Sequence, residues 1–255
     1  MRFEVQRQDP LTLDAHEPLS SMHVLSPYVW TENGRFEIAV RAVNRSDNPN
    51  EKVARVYHGC GDDGLHFVMD REPILPPGPD AIDAGGCEDP SVVSNGQYRV
   101  FYSGYNPVRR EARLLLASGP SIHSLTKNGP VFPETTYSNT KEATVIELAD
   151  RSWRLFFEYA KSDHSLIGLA TSTALTGPWA FEDFPLQPRA RNWDAWHLSP
   201  GPIVTLGSVT GYVLQRRHQR GALENWLARV GYGLPVDSCP FGRLHCRTRP
   251  RYWER

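Results

Sequence analysis

The chain has 255 residues, a formal net charge of −1 and 40% hydrophobic residues, which is a composition typical of a soluble globular protein. The near-zero charge excludes a general attraction to nucleic acid or to an anionic membrane, and no apolar run approaches the length of a transmembrane helix. This length suits one core, so we predict a single domain over residues 1–255.

The cysteines and the N-terminus suggest a reducing compartment. None of the four cysteines has the Cys-x-x-Cys spacing of a structural zinc site, and the first residues contain no apolar stretch like that of a signal peptide. We therefore expect reduced thiols, no bound metal and a cytoplasmic location.

A pattern of short strands recurs along the chain about every 55–62 residues. Each unit has an opening strand, then a turn, then an apolar run led by an aromatic residue, then a third strand rich in small residues. The opening strands begin at Ser26, Asp89, Glu142 and Pro200, and the leading aromatics are Phe36, Tyr98, Trp153 and Tyr212. Asn-Gly pairs, which favour tight hairpin turns, precede the first two aromatics.

The repeat predicts an all-β fold built from radially arranged units. No stretch longer than a turn or two has helical periodicity, and three or four strands per unit are typical of propeller blades. A β-sandwich is the alternative, but it does not require a matched aromatic in every unit. We predict a β-propeller with four blades visible in the sequence.

Polar residues occupy the places where a propeller would gather its blades. The innermost strands line the central channel, so their first residues and the ends of the second strands would meet at one mouth. The second strands end at Arg41, Ser103, Glu158 and Arg217, five residues after each aligned aromatic. With Asp89 and Glu142, this set contains two arginines, three carboxylates and one hydroxyl.

Such a set fits the cleavage of a glycosidic bond, which needs a protonated carboxyl as general acid and, with inversion, a second carboxylate that activates water. Crowding of carboxylates raises the pKa of one of them. The predicted catalytic residues are Asp89, Glu158 and Glu142. The predicted substrate-binding residues are Arg41, Ser103, Lys141, Trp196, His197, Arg217 and His218, with Trp196 stacking on a sugar ring.

Several of these residues also have a purely structural interpretation. Asp89-Pro90 would suit a simple turn, Arg41 and Glu158 would suit a plain ion pair, and Trp196 would suit the core. Arg217 with His218 would suit a solvated basic patch. The functional interpretation rests on the repeat, which brings these positions together.

The segment Gly86-Cys87-Glu88-Asp89-Pro90-Ser91 resembles the Glu-Asp-Pro segment of glycoside hydrolase family 130, which comprises mannoside phosphorylases and β-mannosidases. Weaker matches lie at residues 40–43, 63–67, 199–203 and 229–233. The resemblance implies a five-bladed propeller, so the fifth blade would be missing or completed by the termini. It also implies that Asp89 donates a proton to the glycosidic oxygen, with inversion, and that basic residues at the second-strand ends bind phosphate in the phosphorylases.

The sequence departs from the phosphorylase pattern at several positions. Glu158 stands where phosphorylases carry Arg, Ser91 also replaces an Arg, and Arg217 stands where His is usual. A carboxylate repels phosphate, whereas it is the group that a hydrolase needs to activate water. Glu142 is the competing base, because related arabinosidase and xylosidase propellers carry a catalytic glutamate there. Unlike those enzymes, the chain has Ser26 and no aspartate in the first inner strand.

These observations predict an inverting glycoside hydrolase that acts on β-mannosides or related glycans, with Asp89 as acid and Glu158 or Glu142 as base. One alternative is a β-mannoside phosphorylase with inorganic phosphate as co-substrate. Another is a non-catalytic propeller that binds a glycan or a protein. We expect a carbohydrate substrate, no cofactor, and no nucleic-acid or membrane partner. A homo-oligomer is compatible with the sequence, since a missing blade would expose a sheet edge.

Overall fold

The structure, a computed structural model, describes residues 9–133, 138–162, 164–182, 197–206, 209–216 and 227–231. These residues form sixteen strands and two single 3₁₀ turns, Leu19–Ser21 and Pro49–Glu51, with no α-helix among them. In this part of the chain no helix has the length and apolar character required to span a membrane. The predicted all-β class is confirmed.

Four antiparallel units follow one another along the described chain, and we number them as blades one to four. Blade one contains β2 (His23–Glu32), β3 (Arg35–Val43), β4 (Ala54–Gly61) and β5 (His66–Met69), with β1 (Thr12–Asp14) parallel to β5. Blade two contains β6 (Gly86–Ser94), β7 (Tyr98–Asn106), β8 (Glu111–Gly119) and β9 (Thr126–Pro130). Blade three contains β10 (Ser138–Glu147), β11 (Trp153–Lys161), β12 (His164–Ser172) and β13 (Ala180–Phe181). The described strands of blade four are β14 (Leu198–Leu206), β15 (Val209–Arg216) and β16 (Leu227–Gly231).

Within each blade, consecutive strands pair in the order of the sequence, and blades one, two and three pack against one another through apolar side chains. Phe101 and Leu114 of blade two pack with Leu155 and Phe157 of blade three in one buried cluster. This arrangement confirms the predicted β-propeller, while the number of five blades stays a prediction.

The innermost strands β2, β6, β10 and β14 share a bulge near their beginning. Pairing with the second strand is interrupted for two residues in each: Ser26-Pro27, Asp89-Pro90, Glu142-Ala143 and Gly201-Pro202. Proline is tolerated there because a bulged residue makes no ladder hydrogen bond. Ser26, Asp89 and Glu142 all have positive φ angles, of 46°, 48° and 48°. Such strained backbone in non-glycine residues costs free energy and is concentrated at functional sites.

The register of blade four corrects the alignment made from the sequence. Tyr212 pairs with Ile203, the first residue of β14 after its bulge, just as Phe101 pairs with Ser91 after the bulge of β6. The alignment of leading aromatics from the sequence instead matches Tyr212 with Tyr98, which lies three residues before Phe101 in β7. Leu214 therefore holds the strand position expected for Arg217, because the bulge and the hairpin set the register, whereas an aromatic residue suits several positions of a strand.

The blades are joined at close contacts beside the bulges. Gly86 pairs with Ala54 in parallel register and connects blade two to blade one. It has a φ of 143°, and a Cβ atom there would lie 2.7 Å from the Ala54 nitrogen, so only glycine fits. The Thr144 hydroxyl donates to the Gly201 carbonyl at 2.8 Å and connects the bulges of blades three and four. These contacts fix the inner strands relative to one another.

Candidate active site

Asp89 lies at the centre of a charged group formed by blades one and two. Its Oδ1 atom accepts a hydrogen bond from the Ser26 hydroxyl at 2.7 Å and faces a guanidinium nitrogen of Arg41 at 3.4 Å. The other terminal nitrogen of Arg41 donates to Glu88 at 2.7 Å. A hydroxyl donor and a guanidinium are therefore both directed at Oδ1. The Asp89 side chain is only 11% exposed, so this ion pair is partly desolvated.

Glu158 forms the second charged group, between blades three and four. It lies opposite Lys141 in the ladder of β10 and β11, and the Lys141 ammonium is 3.1 Å from its Oε1 atom. The Ser165 hydroxyl donates to Oε1 at 2.8 Å, and the Ser199 hydroxyl donates to Oε2. His197 Nε2 is 3.7 Å from Oε2. With its side chain 1% exposed, Glu158 is held on all sides by protein groups.

Glu142 lies on its bulge between these two groups. Its backbone N–H donates to the Ser103 hydroxyl at 3.1 Å, which holds the bulge of blade three against β7 of blade two. Burial raises the pKa of Glu142 well above its ordinary value, and the charges of Glu158 and Asp89 raise it further. Lys141 and a hydrogen bond from Ser199 oppose this rise without cancelling it. The arrangement favours a carboxyl that keeps its proton.

The balance of charges explains why one carboxyl is kept protonated. Four carboxyl groups, including Glu88, share the site with two cations, Arg41 and Lys141. Burial also raises the pKa of Glu88, with Arg41 opposing that rise. Burial disfavours the charge of Lys141, but Glu158 and Glu142 outweigh this effect and raise its pKa. A proton on Glu142 reduces the excess negative charge of the site.

The structure gathers most of the predicted site residues. Asp89, Glu142, Glu158, Arg41, Lys141, Ser103 and His197 all take part in the contacts described above. Trp196, Arg217 and His218 lie outside the described residues. Ser103 is 1% exposed, so it supports the Glu142 backbone, whereas we had expected it to contact substrate. The alternative of a plain Arg41–Glu158 ion pair is wrong, because Arg41 pairs with Glu88 and Asp89.

Four polar residues of this site were not among the predicted site residues: Ser26, Glu88, Ser165 and Ser199. Ser26 and Glu88 carried a signal, since the first is the counterpart of Asp89 in blade one and the second precedes Asp89 in the Glu-Asp-Pro segment. Ser199 carried a signal too, since its neighbourhood is the opening position of blade four. Ser165 had no signal, because only the ladder of β11 and β12 places it diagonally across from Glu158.

The raised pKa of Glu142 predicts that this residue destabilises the fold as pH rises. Between the ordinary value of 4.5 and the raised value, the native state binds more protons than the unfolded chain, so the free energy of unfolding falls with pH. Glu142→Gln removes this contribution and should flatten the fall above about pH 5. Urea unfolding at a series of pH values measures the effect. The control is Glu147→Gln, an exposed glutamate of the same strand, and parallel curves for Glu142→Gln and wild type would contradict the prediction.

No protein-family model matches the sequence, and no curated protein matches it. Solved structures do match. A glycosyl hydrolase from Bacteroides ovatus is 20% identical with a TM-score of 0.65, over 82% of this chain and 65% of that one. A second match is a structure from glycoside hydrolase family 130, a family of mannoside phosphorylases that also contains hydrolases of β-1,2-mannosidic linkages. It is 20% identical with a TM-score of 0.65, over 77% of this chain and 61% of that one.

A β-1,2-mannobiose phosphorylase from Listeria innocua is 16% identical with a TM-score of 0.65, over 86% of this chain and 74% of that one. The chain thus spans less than two thirds of the length of the B. ovatus and family 130 structures described above. Family 130, which the Glu-Asp-Pro segment resembles, is among the matches. The described residues therefore have the β-propeller fold found in these glycoside hydrolases and phosphorylases.

Proposed function

We propose that this protein is an inverting glycoside hydrolase, with Glu142 as general acid and Asp89 as general base. The observation that carries the proposal is the pair of equivalent bulges in neighbouring blades, which present these two carboxyl groups in opposite electrostatic settings. Asp89 receives a guanidinium and a hydroxyl donor, whereas burial and two carboxylates raise the pKa of Glu142. Two carboxyls with different settings are the usual basis of an acid–base pair.

The roles follow from these two settings. Glu142 gives its proton to the glycosidic oxygen as the bond to the anomeric carbon breaks. Asp89 takes a proton from a water molecule, whose oxygen attacks the anomeric carbon from the opposite face and inverts its configuration. Glu142 ends ionised and Asp89 protonated, and exchange with solvent restores both. This assignment reverses the role of Asp89 that the family resemblance implies.

Glu158 is a positioning residue in this proposal. Its two oxygens are occupied by Lys141, Ser165 and Ser199, and its side chain is 1% exposed, so a water molecule has little access to it. Its charge instead raises the pKa of Glu142 and holds the Lys141 ammonium near the site. This environment favours Asp89 over Glu158 as the base.

The contacts favour hydrolysis over phosphorolysis. Arg41 is engaged by Glu88 and Asp89, so its guanidinium is already neutralised by carboxylates. A phosphate dianion there would also meet the charges of Asp89 and Glu158 in a partly desolvated pocket, where like charges repel strongly. The mannoside-processing structures that share the fold make β-mannosides the first substrates to try.

The test is a comparison of turnover with and without inorganic phosphate, using aryl β-mannosides and β-1,2-mannobiose. We expect free mannose to form at a rate independent of phosphate, with the α-anomer appearing first by NMR. Formation of mannose 1-phosphate only in the presence of phosphate would overturn hydrolysis in favour of a phosphorylase. No turnover of these or of other aryl glycosides would favour a non-catalytic propeller. The double variant Glu142→Gln, Asp89→Asn gives the background rate.

A further inference from the structure

A second group of polar side chains lies at the seam between blades one and two. His58 belongs to β4, Asp70 follows β5 directly, and His123 lies in the turn between β8 and β9. The Oδ2 atom of Asp70 is 2.8 Å from Nδ1 of His58 and 2.7 Å from Nε2 of His123. These three atoms, from three separate segments, all lie within 4.8 Å of one another. Such side chains are the common ligands of transition metals.

Glu37 of β3 supplies the outer contact of this group. Its Oε2 atom is 2.8 Å from Nε2 of His58, so the two ring nitrogens of His58 face two different carboxylates. A neutral imidazole carries one N–H. With that N–H on Nε2 and donated to Glu37, the lone pair of Nδ1 lies on the side of Asp70 and is available to a metal ion. A carboxylate behind a histidine is the usual partner that fixes the tautomer of a metal ligand.

We propose that Nδ1 of His58, Nε2 of His123 and Oδ2 of Asp70 bind a divalent transition-metal ion, with zinc as the best fit, and that Glu37 orients His58. Two imidazoles and one carboxylate suit zinc, whereas calcium and magnesium require mainly oxygen ligands. Zinc–ligand distances are about 2.0–2.2 Å, so Oδ2 of Asp70 must move slightly away from both nitrogens around the ion. His123 allows this movement because its side chain is 58% exposed. Water completes the tetrahedron.

This metal would join two blades, and it would do so apart from the candidate active site. Glu37 precedes Arg41 by four residues in β3, which corresponds to about 13 Å along a strand. Because the ligands come together only in the folded chain, binding of the ion stabilises the native state by mass action. The proposal does not depend on the hydrolase assignment, and its test uses no enzymatic activity. It also departs from the expectation, made from the sequence, that the chain binds no metal.

The experiment is a zinc titration of protein first dialysed against a chelator, followed by calorimetry and by thermal unfolding. We expect one zinc ion per chain and a higher Tm with zinc, which the chelator reverses. His123→Ala and Asp70→Asn should weaken binding at least tenfold and abolish the rise in Tm. Glu37→Gln should weaken binding by about 10–100-fold, as is usual for a residue that supports a metal ligand.

The matched control is His66→Ala, since His66 is an exposed histidine of the same blade that pairs with Asp63 outside the group. It should bind zinc as the wild type does. Cobalt offers an independent measurement, because its visible absorption reports imidazole ligands and should be lost in His123→Ala. Absence of zinc binding by the wild type, or equal binding by His123→Ala, overturns the proposal. So does NMR evidence that both ring nitrogens of His58 carry protons in the presence of zinc.

Discussion

Replacing Glu142 by Gln is expected to slow the cleavage of unactivated β-glycosides by about 10²–10⁴-fold, the usual contribution of a general acid. An aryl glycoside whose phenol leaves readily needs little protonation, so its cleavage should slow far less. The ratio of kcat/KM values for the two kinds of substrate measures this difference. Glutamine keeps the size of the side chain and removes the proton that the raised pKa of Glu142 retains.

Asp89→Asn provides the comparison that assigns the roles. A lost base slows both kinds of substrate alike, and a small anion such as azide should partly restore turnover by attacking in place of the activated water. Glu147→Gln, on the exposed part of β10, should match the wild type. If Asp89→Asn instead spares the activated substrate, Asp89 is the acid and our assignment is reversed.

Asp83→Asn is expected to destabilise the fold by about 3 kcal/mol, because it breaks a buried ion pair from one side. The Asp83 side chain is 1% exposed, and its Oδ2 atom accepts from Lys127 at 2.6 Å and from Tyr102 at 3.1 Å. Lys127 also donates to the carbonyls of Pro76 and Gly78. The ion pair and these two hydrogen bonds therefore hold the segment between blade one and blade two against β9. The partial exposure of Lys127, at 22%, keeps the effect at the lower end of the range for such pairs.

Urea unfolding of Asp83→Asn beside Asp62→Asn measures the effect. Asp62 pairs with Arg35 on the surface, with both side chains at least half exposed, so its loss should leave the midpoint of unfolding nearly unchanged. The double variant Asp83→Asn, Lys127→Met should be less destabilised than the sum of its single variants, since neither charge is left without its partner. Equal midpoints for Asp83→Asn and Asp62→Asn would contradict the buried ion pair.

The sequence predicted the strands of this fold because strand formation depends on local patterns. Asn33-Gly34 and Asn95-Gly96 mark hairpin turns, and the strands that flank these turns lie where the apolar runs indicated. The predicted meeting of Asp89 with Glu142 followed from the repeat itself. Equivalent positions of neighbouring blades meet around one axis, so the correct repeat places residues that lie 53 positions apart.

Register was less predictable than the strands. The aligned aromatic of blade four was displaced by three residues, since the hydrophobic pattern of a short strand fits more than one pairing. The bulge at Gly201-Pro202 fixes the register of blade four, but a bulge depends on the partner strand and has no certain local signal.

The sequence by itself therefore determined the all-β class, the succession of blades and the ring of polar residues in the first three blades. Only the tertiary structure decided how those residues interact. Arg41 pairs with Glu88 and Asp89, Lys141 pairs with Glu158, and Glu142 is left with the raised pKa. The cluster of His58, Asp70 and His123 was equally hidden, because its members belong to different segments. The reason is physical: hydrophobic alternation and turn chemistry act between neighbours in the chain, whereas ion pairing and desolvation depend on distances that only the packed blades set.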